Sequence, residues 1–159
     1  MKKQKVISAV LVILILATLA FIWGNSLQTI PESSAKSEKV LKAVTPTLEI
    51  FVGKGNATDH LVRKIAHFIE FSVLGIELAL FMTVRKRVSI QSVSNCLFAG
   101  LSTAVIDESL QLISNRGSQV VDVLLDFCGV VVGISIILVF YALTNPKKRY
   151  RASREQPSR

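Results

Sequence analysis

The sequence predicts an all-α membrane protein with four transmembrane helices, and three observations predict it. Half of the 159 residues are apolar (50%), the mean hydropathy is +0.49, and only 19% are charged, against about 25% in a typical soluble domain. The apolar residues gather into four stretches, each near the ~20 residues that a helix needs to cross the hydrocarbon core. Lys and Arg bunch at the two ends and in one central cluster, and long stretches carry neither. A chain of this length makes one domain, and the pattern excludes disorder, a coiled coil and most soluble folds.

The first span is expected over residues 6–23, uncharged and preceded by Lys2, Lys3 and Lys5. Thr18-Leu19-Ala20 weakly resembles a signal-peptidase site. The apolar run continues beyond it through Phe21, Ile22 and Trp23, so the segment is read as a retained anchor. The second span is expected over 61–84, the third over 93–113 and the fourth over 120–143, and each of these carries ionisable residues. Cys96 and Cys128 fall inside apolar segments and are read as free thiols. There is no internal repeat.

Basic residues in short flanks face the cytoplasm. Lys2, Lys3 and Lys5 precede span one; Arg85, Lys86 and Arg87 separate spans two and three; Lys147, Lys148, Arg149, Arg151 and Arg154 follow span four. Four crossings with both termini inside place all three clusters in the cytoplasm. The net charge of +8 is thereby explained by orientation rather than by nucleic acid, which is excluded as a partner. Residues 1–144 form the membrane domain, and the basic tail 145–159 is expected to be a flexible cytoplasmic extension. The first extracytoplasmic loop contains a predicted short amphipathic helix over 35–44, capped by Ser34 and stopped before Pro46. It is followed by a short apolar run at 47–52 and a flexible break at Gly53-Lys54-Gly55-Asn56.

Of the eleven acidic residues, Glu70, Glu77, Asp107, Glu108, Asp122 and Asp126 lie inside predicted spans. Each costs about 2.5 kcal/mol or more at the bilayer centre unless paired or turned into a protein cavity. In the four-crossing arrangement His67 and Glu70 lie in the outer half of span two, Asp107, Glu108 and Gln111 in the outer half of span three, and Asp122 and Asp126 in the outer half of span four. Glu77 is nearer the midplane. At about 100° per residue, Arg63, His67, Glu70 and Glu77 share roughly an 80° arc. Asp122 and Asp126 sit one turn apart, above Gly129 and Gly133 on the same stripe, a spacing that lets a neighbouring helix approach. The expected result is a four-helix bundle with a polar cavity open to the outer surface.

Three chemistries fit such a cavity. His67, Glu70, Asp107, Glu108 and Asp122, with Asp126, offer hard oxygen donors and one imidazole for a divalent metal ion. Crowded carboxylates in low dielectric also suit general acid–base work. Arg63 and Arg116 suit a phosphate or carboxylate group. Lys64 is read as snorkelling to the interface. No nucleophile stands out, no Gly-rich phosphate loop is present, and the metal-donor spacing matches no dedicated motif.

"RKIAHFIEFSVLG" (63–75) and "DESLQLISNRGSQVVDVLLDFCGVVVG" (107–133), with the Ser-rich "NSLQTIPESSAKS" after span one, resemble the VanZ-like family of small bacterial membrane proteins. The resemblance runs from about Phe21 to Gly133. By position it matches Lys64, His67, Phe68, Glu70, Gly75, Asp107, Glu108, Gln111, Arg116, Asp122, Gly129 and Gly133. Asp126 stands where the family often has Asn, and Leu110 where a polar residue often precedes the Gln, which weakens a two-His metal site. The family is named for a protein associated with teicoplanin resistance without altered peptidoglycan precursors. The resemblance implies a plasma-membrane protein of the bacterial cell envelope that lowers susceptibility to lipoglycopeptides.

The candidate catalytic or ligand-binding residues are His67, Glu70, Asp107, Glu108 and Asp122; Arg63, Gln111, Arg116, Ser118 and Asp126 are candidate ligand contacts. The partners read from these features are the lipid bilayer and either a lipid-linked envelope precursor or a glycopeptide antibiotic, with oligomers left open. An intramembrane enzyme acting on a lipid-linked glycan or phosphate is the alternative. A small ion-coupled transporter fits less well, because the inner halves of the spans are almost entirely apolar.

Overall fold

The computed structural model describes residues 2–28, 40, 45, 49–50, 53, 58–114 and 119–145. The expected loop helix at 35–44, the run at 47–52, Arg116, Ser118 and the tail from 146 lie outside the described residues, wholly or for the most part. The described residues form four long helices and no strand: α1 Lys2–Ser26, α2 Asp59–Val84, α3 Ile90–Ile113 and α4 Val120–Thr144. All four are long and apolar enough to span a bilayer. Each contains its predicted span and extends past it at one or both ends. Most of the added residues are polar, and a helix leaving the hydrocarbon continues through them because doing so keeps its backbone hydrogen bonds.

The ends are set by local chemistry. Thr58 Oγ1 accepts a hydrogen bond from Leu61 N at 3.2 Å, and Ser89 Oγ one from Ser92 N at 3.2 Å, capping α2 and α3. At the end of α2 the chain reverses on Lys86, held at φ 55. Lys86 N donates to Thr83 O at 2.9 Å and Arg87 N to Met82 O at 3.1 Å, a Schellman arrangement. Gln119 begins α4 without a side-chain cap. Its backbone N–H instead donates to Glu108 Oε2 on α3 at 3.3 Å.

The tightest pairing is α2 against α4. A Cβ on Gly129 would stand 2.6 Å from Phe68 O, and one on Gly75 or Gly133 would collide with the backbone of Val130 or Ser72. The Gly129/Gly133 spacing thus works as read, with α2 as the partner. α1 packs on α2 and α3. The core is small and apolar, formed by Ile22, Phe71, Leu74, Ala79, Ala104, Val130 and Ile134. Outward-facing positions carry large apolar side chains such as Ile13, Phe98, Leu124 and Phe140. That surface is stable against lipid, so the chain is a multi-pass membrane protein.

The bundle has two unlike ends. At one, Gln4 Nε2 donates to Val84 O at 2.8 Å, bringing Lys2, Lys3 and Lys5 beside the Arg85-Lys86-Arg87 turn. At the other, the C-termini of α1 and α3 meet the N-termini of α2 and α4. There Ser114 Oγ donates to Ser26 O at 3.0 Å.

Candidate functional site

The polar end is built from four helix termini, each contributing residues that a lone amphipathic helix could not bury. On α3, Asp107 is fully buried and Glu108 is 4% exposed. Asp107 Oδ1 accepts from Ser26 Oγ on α1 at 2.6 Å, and Oδ2 from Gln111 Nε2 at 3.0 Å. The same Gln111 amide donates to Glu108 Oε1 at 2.9 Å. One glutamine, a turn along the helix from Asp107, therefore orients both acids.

On α2, His67 Nδ1 lies 3.6 Å from Asp107 Oδ2. Asp126, on the facing stripe of α4, is 1% exposed, and its Oδ2 has no hydrogen-bond partner among the described residues. His67, Asp107 and Asp126 each offer one donor atom, and these atoms lie within 4.8 Å of one another. The three come from three different helices, and the close α2–α4 approach at the glycines is what lets them meet.

A cavity of about 80 Å³ opens beside them, walled in part by His60, Lys64, His67, Asp122 and Asp126. It has room for water, a small ion or a single headgroup oxygen cluster. Among the expected site residues, Arg63, Glu108 and Gln111 also line this cavity. Glu70 and Asp107 are not among its walls. Asp107 is sealed behind it, and Glu70 Oε1 accepts from Asn25 Nδ2 on α1 at 3.2 Å. Arg116 and Ser118 lie outside the described residues.

Two expected pairings come out differently. Lys64, read as snorkelling, instead meets Asp122 Oδ1 across the α2–α4 interface at 2.6 Å, with both side chains about a quarter exposed. Arg63, read as a contact for a phosphate or carboxylate group, binds Asp59 Oδ2 at 3.1 Å, one helical turn away. The local i,i+4 geometry on α2 captures it first. Glu77, lower in the bundle, accepts from Thr18 Oγ1 of α1 at 3.0 Å. Both cysteines are free thiols.

Residue-by-residue reading of the sequence missed Thr18, Asn25, Ser26 and Ser114 as supports. Asn25 and Ser26 stood at the polar edge of the first span, where the Ser- and Asn-rich stretch begins. That run was the available signal, but nothing in it showed which acids these side chains would meet. Chemically, the assembly joins buried carboxylates, one imidazole and two rim cations around a small wet space. A family model described as VanZ/LLP1 matches residues 10–141. No curated protein and no solved structure matches the chain.

Proposed function

The chain belongs to the VanZ/LLP1 family, and from that membership we propose that it acts in the bacterial cell envelope, lowering susceptibility to lipoglycopeptides such as teicoplanin through its polar cavity. In this reading the protein sits in the plasma membrane with both termini in the cytoplasm. Residues 1–144 act as one membrane domain, and the basic tail lies inside the cell. The expected loop helix at 35–44 rests on the outer membrane surface.

One observation carries the reading. Half-buried His67 and buried Asp107, Glu108 and Asp126 gather at one end of the bundle, while the N-terminal lysines and the 85–87 basic turn share the other. Positive charge stays on the cytoplasmic side, so the acidic cavity faces outward at headgroup depth. At about 80 Å³ the cavity is far smaller than the roughly 300 Å³ or more of sites that enclose drug-sized molecules. It takes a headgroup fragment or an ion, not a whole glycopeptide. The effect on teicoplanin is accordingly exerted through an envelope component that the lipidated antibiotic needs.

The test is the ratio of teicoplanin to vancomycin inhibitory concentrations in a susceptible Gram-positive host. Wild type is compared with His67→Ala, Asp107→Asn and Arg116→Ala, each checked for membrane insertion. Wild type should raise the teicoplanin value alone, and the inserted variants should lose that effect. An unchanged teicoplanin value with wild type would overturn the resistance reading.

The imidazole–carboxylate group also favours a second reading, an intramembrane enzyme acting on a lipid-linked glycan or phosphate with Arg63 or Arg116 on its anionic part. Altered lipid-linked intermediates in a deletion strain, restored by wild type and not by Asp107→Asn, would favour it. An unchanged lipid and wall profile would remove it.

A further inference from the structure

We propose that His67, Asp107 and Asp126 bind one divalent transition-metal cation of the zinc or manganese class. The donors come from three helices, and their ligand atoms lie within 4.8 Å of one another. His67 Nδ1 and Asp107 Oδ2 are 3.6 Å apart, longer than the roughly 2.7–3.2 Å of a good N–H···O hydrogen bond. The separation is close to the ~3.3 Å edge between two ligands of a tetrahedral ion with bonds near 2.0–2.1 Å.

Asp126 supplies the independent observation. It is 1% exposed, it lines the cavity, and its Oδ2 has no hydrogen-bond partner among the described residues. A carboxylate buried in this way must either take up a proton or face a cation that compensates its lost hydration. Among the described residues that line the cavity, Lys64 is committed to Asp122 and Arg63 to Asp59. A divalent ion between Asp107 and Asp126 balances two carboxylates and leaves His67 neutral, the form of imidazole that ligates metal.

The surroundings of Asp107 match those of a metal-binding carboxylate. Ser26 Oγ at 2.6 Å and Gln111 Nε2 at 3.0 Å fix its two oxygens, and such outer hydrogen bonds orient ligands around an ion. Three protein ligands beside a cavity of about 80 Å³ leave a coordination position open for water or an anionic oxygen, as in catalytic rather than structural sites. One imidazole and two carboxylates suit a borderline-to-hard ion. Cys96 and Cys128 are elsewhere on the bundle, so no thiolate biases the site toward a softer one.

This deepens the cavity reading by naming its ligand, and its test needs neither an orientation nor an antibiotic phenotype. The failure of one is therefore distinguishable from the failure of the other. The full chain in detergent, stripped with a chelator, is dialysed against Mn²⁺ or Zn²⁺ and its metal content measured, with Mn²⁺ binding followed by electron paramagnetic resonance. Wild type should hold about one ion per chain. Asp126→Asn and His67→Ala should bind at least ~10-fold more weakly, while Glu77→Gln, lower in the bundle and bonded to Thr18, should retain binding.

Asp126→Asn is nearly isosteric, and in the metal-free state it should melt at or above wild type because it removes the buried charge. Metal should raise the melting temperature of wild type and leave Asp126→Asn unmoved. Wild type that takes up neither ion while eluting as a folded species would overturn the proposal. Undiminished binding by Asp126→Asn would overturn it as well.

Discussion

Ser26 shows how a single hydroxyl decides where a charge is held. It is fully buried, it donates to Asp107 at 2.6 Å, and its carbonyl receives Ser114 Oγ at 3.0 Å. Hydrogen bonds to charged groups contribute about 1.5–3 kcal/mol. Ser26→Ala should destabilise the detergent-solubilised protein by an amount in that range, read as a fall in melting temperature. Ser109→Ala should change little, because that exposed hydroxyl only bonds the carbonyl of Val105 on its own helix. The acids themselves were legible in the sequence, since an ionisable residue in an apolar span stands out and carries a cost. Their partners were not: which hydroxyl reaches which carboxylate depends on helix rotation, and composition does not set rotation.

At the scale of the element, α2 and α4 form the pair on which the site depends. Gly75, Gly129 and Gly133 leave no room for a Cβ, so the two backbones touch and carry His67 and Asp126 to the same point. Gly133→Ala should force the helices apart, costing about 1–3 kcal/mol as an overpacked contact. It should also weaken whatever the cavity binds. Gly24→Ala is the control: a Cβ there meets nothing within 4 Å, so melting temperature should hold or rise slightly. The small-residue spacing was visible in the chain, and so was the depth of each acid. The identity of the opposing helix was not, because α3 offers Gly100 as well, and there the close neighbour is the Val130 side chain.

For the whole molecule, the separation of basic and acidic ends predicts orientation. With Cys96→Ser and Cys128→Ser removing the two free thiols, a membrane-impermeant maleimide should label His60→Cys in intact cells. Lys3→Cys should label only after permeabilisation, and the reverse pattern would overturn the outward-facing cavity. Much of this level was legible early. The lengths of the apolar runs define the number of spans, because crossing a bilayer of given thickness needs a given number of residues. The clustering of lysines and arginines dictates which ends pair.

What the chain determined alone, then, was the number of helices, their approximate limits and the layer that holds the polar residues. All of these follow from local hydropathy and charge acting against a uniform solvent. Only the tertiary structure decided that Lys64 pairs with Asp122 and Arg63 with Asp59, that Glu70 turns toward Asn25, and that Asp126 joins His67 and Asp107. Those outcomes depend on the rotation and separation of packed helices. Close contacts at a few glycines set them, and no window along a single helix contains that information.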